Sequence, residues 1–169
     1  MLTIAASARI SPLADIEDSV RGTHIIIGED VVIDAFVKIK PAGGEGNLVI
    51  GRGSIINSGC VIYTGHGIRI GAHVLIAANC TLAPTNHEFR AADALIRDQG
   101  FQPSRGGIVI GDDVWIGANT VLLDGACIGD GCVIGARSLV RDELPEYCVA
   151  LGVPARVRSR RGHPAAEAA

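Results

Sequence analysis

The sequence predicts an all-β chain wound as a triangular prism of stacked coils. Three observations carry that expectation. One aliphatic residue recurs every sixth position, a small residue often follows it, and the 169-residue chain is 48% hydrophobic yet only 4% aromatic, with 22 glycines. The clearest run is Ile110, Ile116, Leu122, Ile128, Ile134 and Val140, with Gly111, Gly117, Gly129 and Gly135 placed directly after beats. An amphipathic helix would repeat about every 3.6 residues and a half-buried strand every 2. A period of six instead gives one flat β face, with an aliphatic side chain inward and a small residue easing the corner. Three faces close a coil of about 18 residues, stacked on the next at about 4.8 Å.

The elements follow in order. Looser beats at Ile4, Ile10, Ile16, Ile27, Ile33 and Ile39 open the prism. Ile50, Ile56 and Ile62 continue it; the rhythm then slips around Tyr63-Thr64-Gly65-His66-Gly67 and resumes at Ile70, Ile76 and Leu82. A longer excursion, about residues 84–107, carries Asn86-His87-Glu88-Phe89-Arg90, a short candidate helix over residues 90–97, and Phe101-Gln102-Pro103. A loop of this length in a compact domain is either functional or disordered. A His beside a Glu, with two Phe in the same loop, favours function. The repeat returns at Ile108 and Ile110. Residues 1–154 are therefore expected to form one prism, and residues 155–169 a basic C-terminal tail.

Composition narrows the partners. The net charge of −3 points to no general nucleic-acid or membrane surface. No stretch approaches the roughly 18 apolar residues of a membrane span. Met1-Leu2-Thr3-Ile4-Ala5-Ala6 makes a poor signal peptide, so a cytoplasmic location is expected. The five cysteines form no C-x-x-C. Cys60, Cys80 and Cys132 stand four residues after Ile56, Ile76 and Ile128, the phase at which Val114, Thr120 and Ser138 occur elsewhere. That phase predicts small inward fillers rather than metal or redox ligands. Cys127 and Cys148 carry no motif.

From about Ile50 to Arg161 the chain resembles the hexapeptide-repeat acyltransferases, and within them the sugar and polysaccharide O-acetyltransferases of galactoside and maltose type. The likeness rests on residues 74–82 leading to Thr85-Asn86-His87, on Ile110-Gly111-Asp112-Asp113-Val114-Trp115-Ile116-Gly117-Ala118, on residues 134–140, and on Leu151-Gly152-Val153-Pro154-Ala155-Arg156. It implies a left-handed parallel β-helix, assembled as a homotrimer, with acetyl-CoA in the groove between adjacent prisms and no metal. His87 matches the catalytic His that deprotonates the acceptor. A sugar hydroxyl is a weak nucleophile, and an imidazole, titrating near neutrality, suits that proton transfer. Glu88 is a candidate to orient it. Asn57 falls where the galactoside-type enzymes carry an acceptor contact, though it also reads as a corner Asn capping a turn. Those enzymes carry an acidic acceptor contact eight residues later, where Gly65 stands beside His66.

For the coenzyme, the resemblance puts Trp115, read as a corner residue, beside the groove; packing between subunits is a compatible role. Gly117 and Ala118 follow, with a backbone N–H at the latter facing the thioester oxygen, and Ala136 meets the pantetheine arm. Arg156 matches a phosphate contact, to which Arg158 and Arg141 add charge, since guanidinium pairs well with phosphate. Asp142 occupies the place of the family's usual Lys. The function expected is acetyl-CoA-dependent O-acetylation of a saccharide hydroxyl. N-acetylation of an amino sugar or antibiotic would need the same base. A γ-type carbonic anhydrase shares the prism but needs three metal-binding His, two of them usually five residues apart. His24, His66, His73, His87 and His163 contain no such pair. A non-catalytic trimeric scaffold is the remaining alternative.

Overall fold

The computed structural model describes residues 1–162; residues 163–169, the end of the expected basic tail, lie outside the described residues. The beats from Ile27 to Val140 all point inward and are buried, each within a strand of two or three residues whose neighbours face outward. Strands stack into three parallel faces. The first runs Leu2–Ile4, Ile25–Ile27, Leu48–Ile50, Ile68–Ile70, Ile108–Ile110, Ala126–Ile128 and Glu143–Leu144. The second runs Arg9–Ile10, Val32–Ile33, Ile55–Ile56, Leu75–Ile76, Trp115–Ile116, Val133–Ile134 and Cys148–Leu151. The third runs Asp15–Ile16, Lys38–Lys40, Val61–Tyr63, Thr81–Ala83, Val121–Leu123 and Leu139–Val140. In the first coil Ile4 is 43% exposed, because no described coil lies beneath it to cover its inward row.

Two prism edges are tight. Between the first and second faces, Asp30, His73, Asp113 and Tyr147 have φ of 53–57°; between the second and third, Phe36, Asn79, Asn119 and Arg137 have φ of 58–62°. Left-handed backbone costs a non-glycine residue about 1–2 kcal/mol. Stacking offsets it: the turn amides of Asn79, Asn119 and Arg137 donate to Ser58, Ala78 and Ala118 carbonyls of the coil before, at 2.9–3.0 Å.

The third edge, between the third and first faces, takes the insertions. Register partners on the first face lie 23 residues apart from Leu2 to Ile25 and from Ile25 to Leu48. The spacing is 20 from Leu48 to Ile68, 40 from Ile68 to Ile108, and 18 from Ile108 to Ala126. The shared strand phases of the other two faces leave this edge as the place where chain length varies, and the long loop leaves from it.

Several inward polar groups bond to the next coil, whereas the buried hydroxyls of Thr23 and Thr64 have no partner among the described residues. Ser54 Oγ donates to Gly71 O (2.9 Å), Cys60 Sγ to Ala77 O (3.2 Å), Cys80 Sγ to Gly117 O (3.3 Å) and Cys132 Sγ to Pro145 O (3.0 Å). Cys60, Cys80 and Cys132 are buried as their phase predicts, and Cys148 joins them, whereas Cys127 is exposed. Burial pushes the Cys148 thiol up to about 12, so it stays protonated and unreactive. Two expectations change. The candidate helix over residues 90–97 does not form; the loop contains one 3₁₀ turn, Ile96–Asp98, with no buried residue to hold a longer helix. The basic segment also does not run free: Arg156–Arg160 is a strand that pairs antiparallel with Cys148–Leu151 and covers the last edge of the second face. Among the described residues, no helix is long and apolar enough to cross a membrane.

Candidate active site

The long loop leaves the prism after Thr81–Ala83 and is tied at three levels. At its base, Glu88 N donates to Gly100 O (3.0 Å) and Gln102 N to Asn86 O (2.8 Å), which makes a one-pair antiparallel bridge of His87 with Phe101. Further out, the Gln99 amide bonds the backbone of Ala91 and Ala94, standing in for helix hydrogen bonds. On its return, Arg105 N (2.7 Å) and Gly107 N (2.9 Å) donate to the two oxygens of Asp124, a carboxylate whose side chain is 1% exposed. Asp124 therefore anchors the loop to the coil beneath it. His66 Nδ1 lies 3.5 Å from the same carboxylate without forming a hydrogen bond to it.

These ties set His87 at the rim of an open pocket of about 350 Å³, lined also by Ala42, Gly43, Tyr63, Ala83, Thr85 and Phe101. Its imidazole is exposed and stacks on Phe101, with ring centroids 4.9 Å apart at 45°. Glu88 does not orient it. Its carboxylate accepts from Arg90 Nε (2.9 Å) and from the amides of Phe89 (2.8 Å) and Arg90 (3.0 Å). The Arg90 guanidinium and those amides hold the Glu88 carboxyl down to about 2, so the charge is fixed and spent within its own turn. At Gly65 there is no room for the acidic residue of galactoside-type enzymes: φ is +43°, and a Cβ would lie 2.1 Å from Thr85 Oγ1.

The other sequence-predicted residues lie on different edges. Asn57, at the end of the second face, donates its amide to Ile76 O (2.8 Å), the capping arrangement, one coil onward. Trp115 stands in a strand rather than at a corner; it directly precedes the inward Ile116 and so points outward, 53% exposed, in a cleft with His73, Leu75, Val133 and Arg161. Gly117 is buried, and a Cβ there would meet Ala136 N at 2.5 Å, so its smallness serves coil packing. Ala118 and Ala136 occupy equivalent turns of successive coils on the second-to-third edge, and neither amide donates to a group among the described residues. Arg141 and Arg156 line one cleft near the C-terminal end, beside Asp142 and Glu143, while Arg158 is exposed on the antiparallel strand. No three of His, Cys, Asp and Glu among the described residues gather as a metal cluster.

Phe101, Tyr63, Thr85 and Asp124 complete this neighbourhood and were not legible as site residues. Tyr63, Thr85 and Phe101 stood in stretches the sequence marked out without being assigned a role, and Asp124 left only a carboxylate followed by Gly125.

A parallel prism with one excursion carrying an exposed His defines a class that comparison with known proteins identifies. The profile of the bacterial transferase hexapeptide family (six repeats) matches residues 107–142. Galactoside O-acetyltransferase of Escherichia coli is 41% identical over 111 residues, covering 66% of this chain and 53% of its own length. WbbJ of Escherichia coli, a chain named for O-acetyl transfer in lipopolysaccharide biosynthesis, is 31% identical over 147 residues, 84% of this chain and 71% of its own. Among solved structures, the N-acyltransferase AntD of Bacillus cereus, in complex with dTDP-4-amino-4,6-dideoxyglucose and coenzyme A, matches with a TM-score of 0.80 and 26% identity over 95% of this chain and 84% of that one. The chain belongs to the hexapeptide-repeat transferase family, and its fold is the left-handed parallel β-helix of that family. It spans 38% and 53% of the length of two other curated relatives, a Mycobacterium tuberculosis chain and the galactoside enzyme.

Proposed function

We propose that this chain transfers an acetyl group from acetyl-CoA to a saccharide hydroxyl, with His87 as general base in a homotrimer. The observation that carries the reading is the exposed His87 imidazole, held by the loop's base bridge at the rim of the Tyr63–Phe101 pocket. The imidazole accepts the acceptor's hydroxyl proton as the oxygen attacks the thioester carbonyl. Collapse of the tetrahedral intermediate then releases the CoA sulfur, which takes that proton back from the imidazolium. Such a base contributes about 10²–10⁴-fold.

The undonated Ala118 amide faces the developing oxyanion in this reading, a role in which one preorganised donor is worth about 2.7–4 kcal/mol. The Ala136 amide meets the pantetheine arm, Trp115 walls the groove, and Arg141, Arg156 and Arg158 take the coenzyme's phosphates. Asn57 keeps a role as acceptor contact through its carboxamide oxygen or the second N–H of its amide, since one N–H serves Ile76. His87 and Ala118 sit on different edges of one prism, so a complete site joins two copies. The saccharide acceptor, for example a surface-polysaccharide precursor, accords with the sugar and lipopolysaccharide names of the relatives.

Transfer to an amine of a nucleotide-linked amino sugar is the second reading, favoured by the ligands of AntD. One assay separates them: thiol release from acetyl-CoA with sugars, amino sugars and nucleotide sugars as acceptors. Release driven by hydroxyl acceptors supports the first reading and release restricted to amines the second. No release with any acceptor, together with no coenzyme binding, refutes both.

A further inference from the structure

We propose, on the reading that His87 is the base, that Phe101 is the positioning residue for its imidazole, in the place where a carboxylate often stands. The backbone sets the pair. Hydrogen bonds from Glu88 N and Gln102 N flank His87 and Phe101, which exchange none themselves. That is the non-hydrogen-bonded kind of antiparallel pair, in which opposite Cα atoms approach to about 4.5 Å and side chains come closest. The rings accordingly meet at 4.9 Å, inside the 4.5–7 Å range of favourable aromatic pairs. The neighbouring carboxylate, Glu88, is taken by Arg90, and among the described residues no hydrogen bond reaches the imidazole. Phe101 thus supplies an aromatic contact to the ring, and in this proposal it fixes the rotamer without supplying charge.

The role follows from the loop's design. Fourteen positions separate the two residues, and the bridge that joins them also closes the loop, so the base is set only when the loop's return strand is in place. An aromatic pair contributes up to about tenfold in the population of the paired rotamer.

The test uses the full-length protein with carbon-labelled histidine, and acetyl-CoA with whichever acceptor of the panel gives fastest thiol release. The His87 ring resonances are assigned by their loss in His87→Ala. In wild type they are displaced by the Phe101 ring current; in Phe101→Leu they move to free-imidazole positions. Turnover in Phe101→Leu falls about tenfold with the acetyl-CoA KM within about twofold, and Phe101→Tyr recovers most of it. Unchanged turnover in Phe101→Leu, or a raised acceptor KM at constant kcat, overturns the positioning role. A Phe101→Leu chain that fails to fold leaves Phe101→Tyr and the wild-type resonances to decide, and undisplaced wild-type resonances overturn the proposal. Retained turnover in His87→Ala refutes the base instead, and the resonances still report on the ring contact.

Discussion

Replacing Asp124 by Ala tests how the loop that carries His87 is held. The carboxylate accepts Arg105 N at 2.7 Å and Gly107 N at 2.9 Å while its side chain is 1% exposed. A buried donor left without an acceptor costs about 1–3 kcal/mol. Two donors set an upper bound near 6 kcal/mol, but they are not equally trapped. Arg105 is exposed and water can reach its amide, whereas the Gly107 bond is buried. Removal of a buried charge returns part of the loss as well, since burying a carboxylate has its own desolvation cost. The expected destabilisation is therefore about 2–4 kcal/mol, concentrated at the loop's return.

For a chain of this size that is about 4–16 °C in Tm, measured at fixed protein concentration because assembly would shift the midpoint. Asp124→Asn keeps one acceptor oxygen and should fall between wild type and Ala. Amide exchange at Arg105 and Gly107 should quicken in both variants before exchange in the prism core does. A Tm for Asp124→Ala within about 1 °C of wild type, with exchange at those amides unchanged, would refute the anchoring argument.

Other outcomes follow from the same structure. His87→Ala should leave the fold and coenzyme binding intact and lower turnover by about 10²–10⁴-fold, read by thiol release; near wild-type turnover would remove His87 from the mechanism. Arg156→Ala should raise the acetyl-CoA KM more than it lowers kcat, and coenzyme binding should weaken with salt. Calorimetry with CoA and dephospho-CoA checks the contact, and equal affinities would free the arginines from the 3′-phosphate. Light scattering at micromolar concentration should give three times the chain mass, and a monomer mass would leave the two-copy site without its second half.

How much was legible in the sequence depends on whether a feature repeats. The inward row was readable from Ile27 to Val140 because every coil enforces the same phase on its neighbours. The thiols were readable for the same reason. Trp115 was misread as a corner residue because its position was counted from the Ile110 beat behind it, when the strand is set by Ile116 directly ahead. The stretch over residues 90–97 has alanines and a leucine suited to a helix, yet Leu95 and Ile96 face solvent, and a helix of that length is marginal without a surface to pack against. The Arg156–Arg160 strand lacks the sixfold beat, and its alternation of Arg with Val157 and Ser159 signals a strand without saying which strand it pairs with. The long loop that carries His87 was legible as a break in the beat. The pairing of His87 with Phe101 and the anchoring by Asp124 were not, because each contact forms only after the loop has closed.

On the proposed reading, the distribution of insertions explains why the chemistry sits where it does. Two edges of the prism are committed to left-handed turns whose amides reach the coil before, and a longer connection there would break register on both adjoining faces. The third edge varies between neighbouring coils in length without disturbing the inward row, from the 24 residues between Ala83 and Ile108 to the two between Leu123 and Ala126. The 18-residue coil that follows the long loop leaves a tight corner directly beneath it, and Asp124 of that corner receives the loop's returning amides. A short connection at one level thus anchors a long one at the next. The loop can change in sequence while its base stays fixed by Asp124, His87 and Phe101. The undonated amides of Ala118 and Ala136 run along a different edge, one whose connections keep the same length from coil to coil. On the proposed reading, the variable edge is suited to selecting an acceptor, and the constant edge to meeting a coenzyme that does not change.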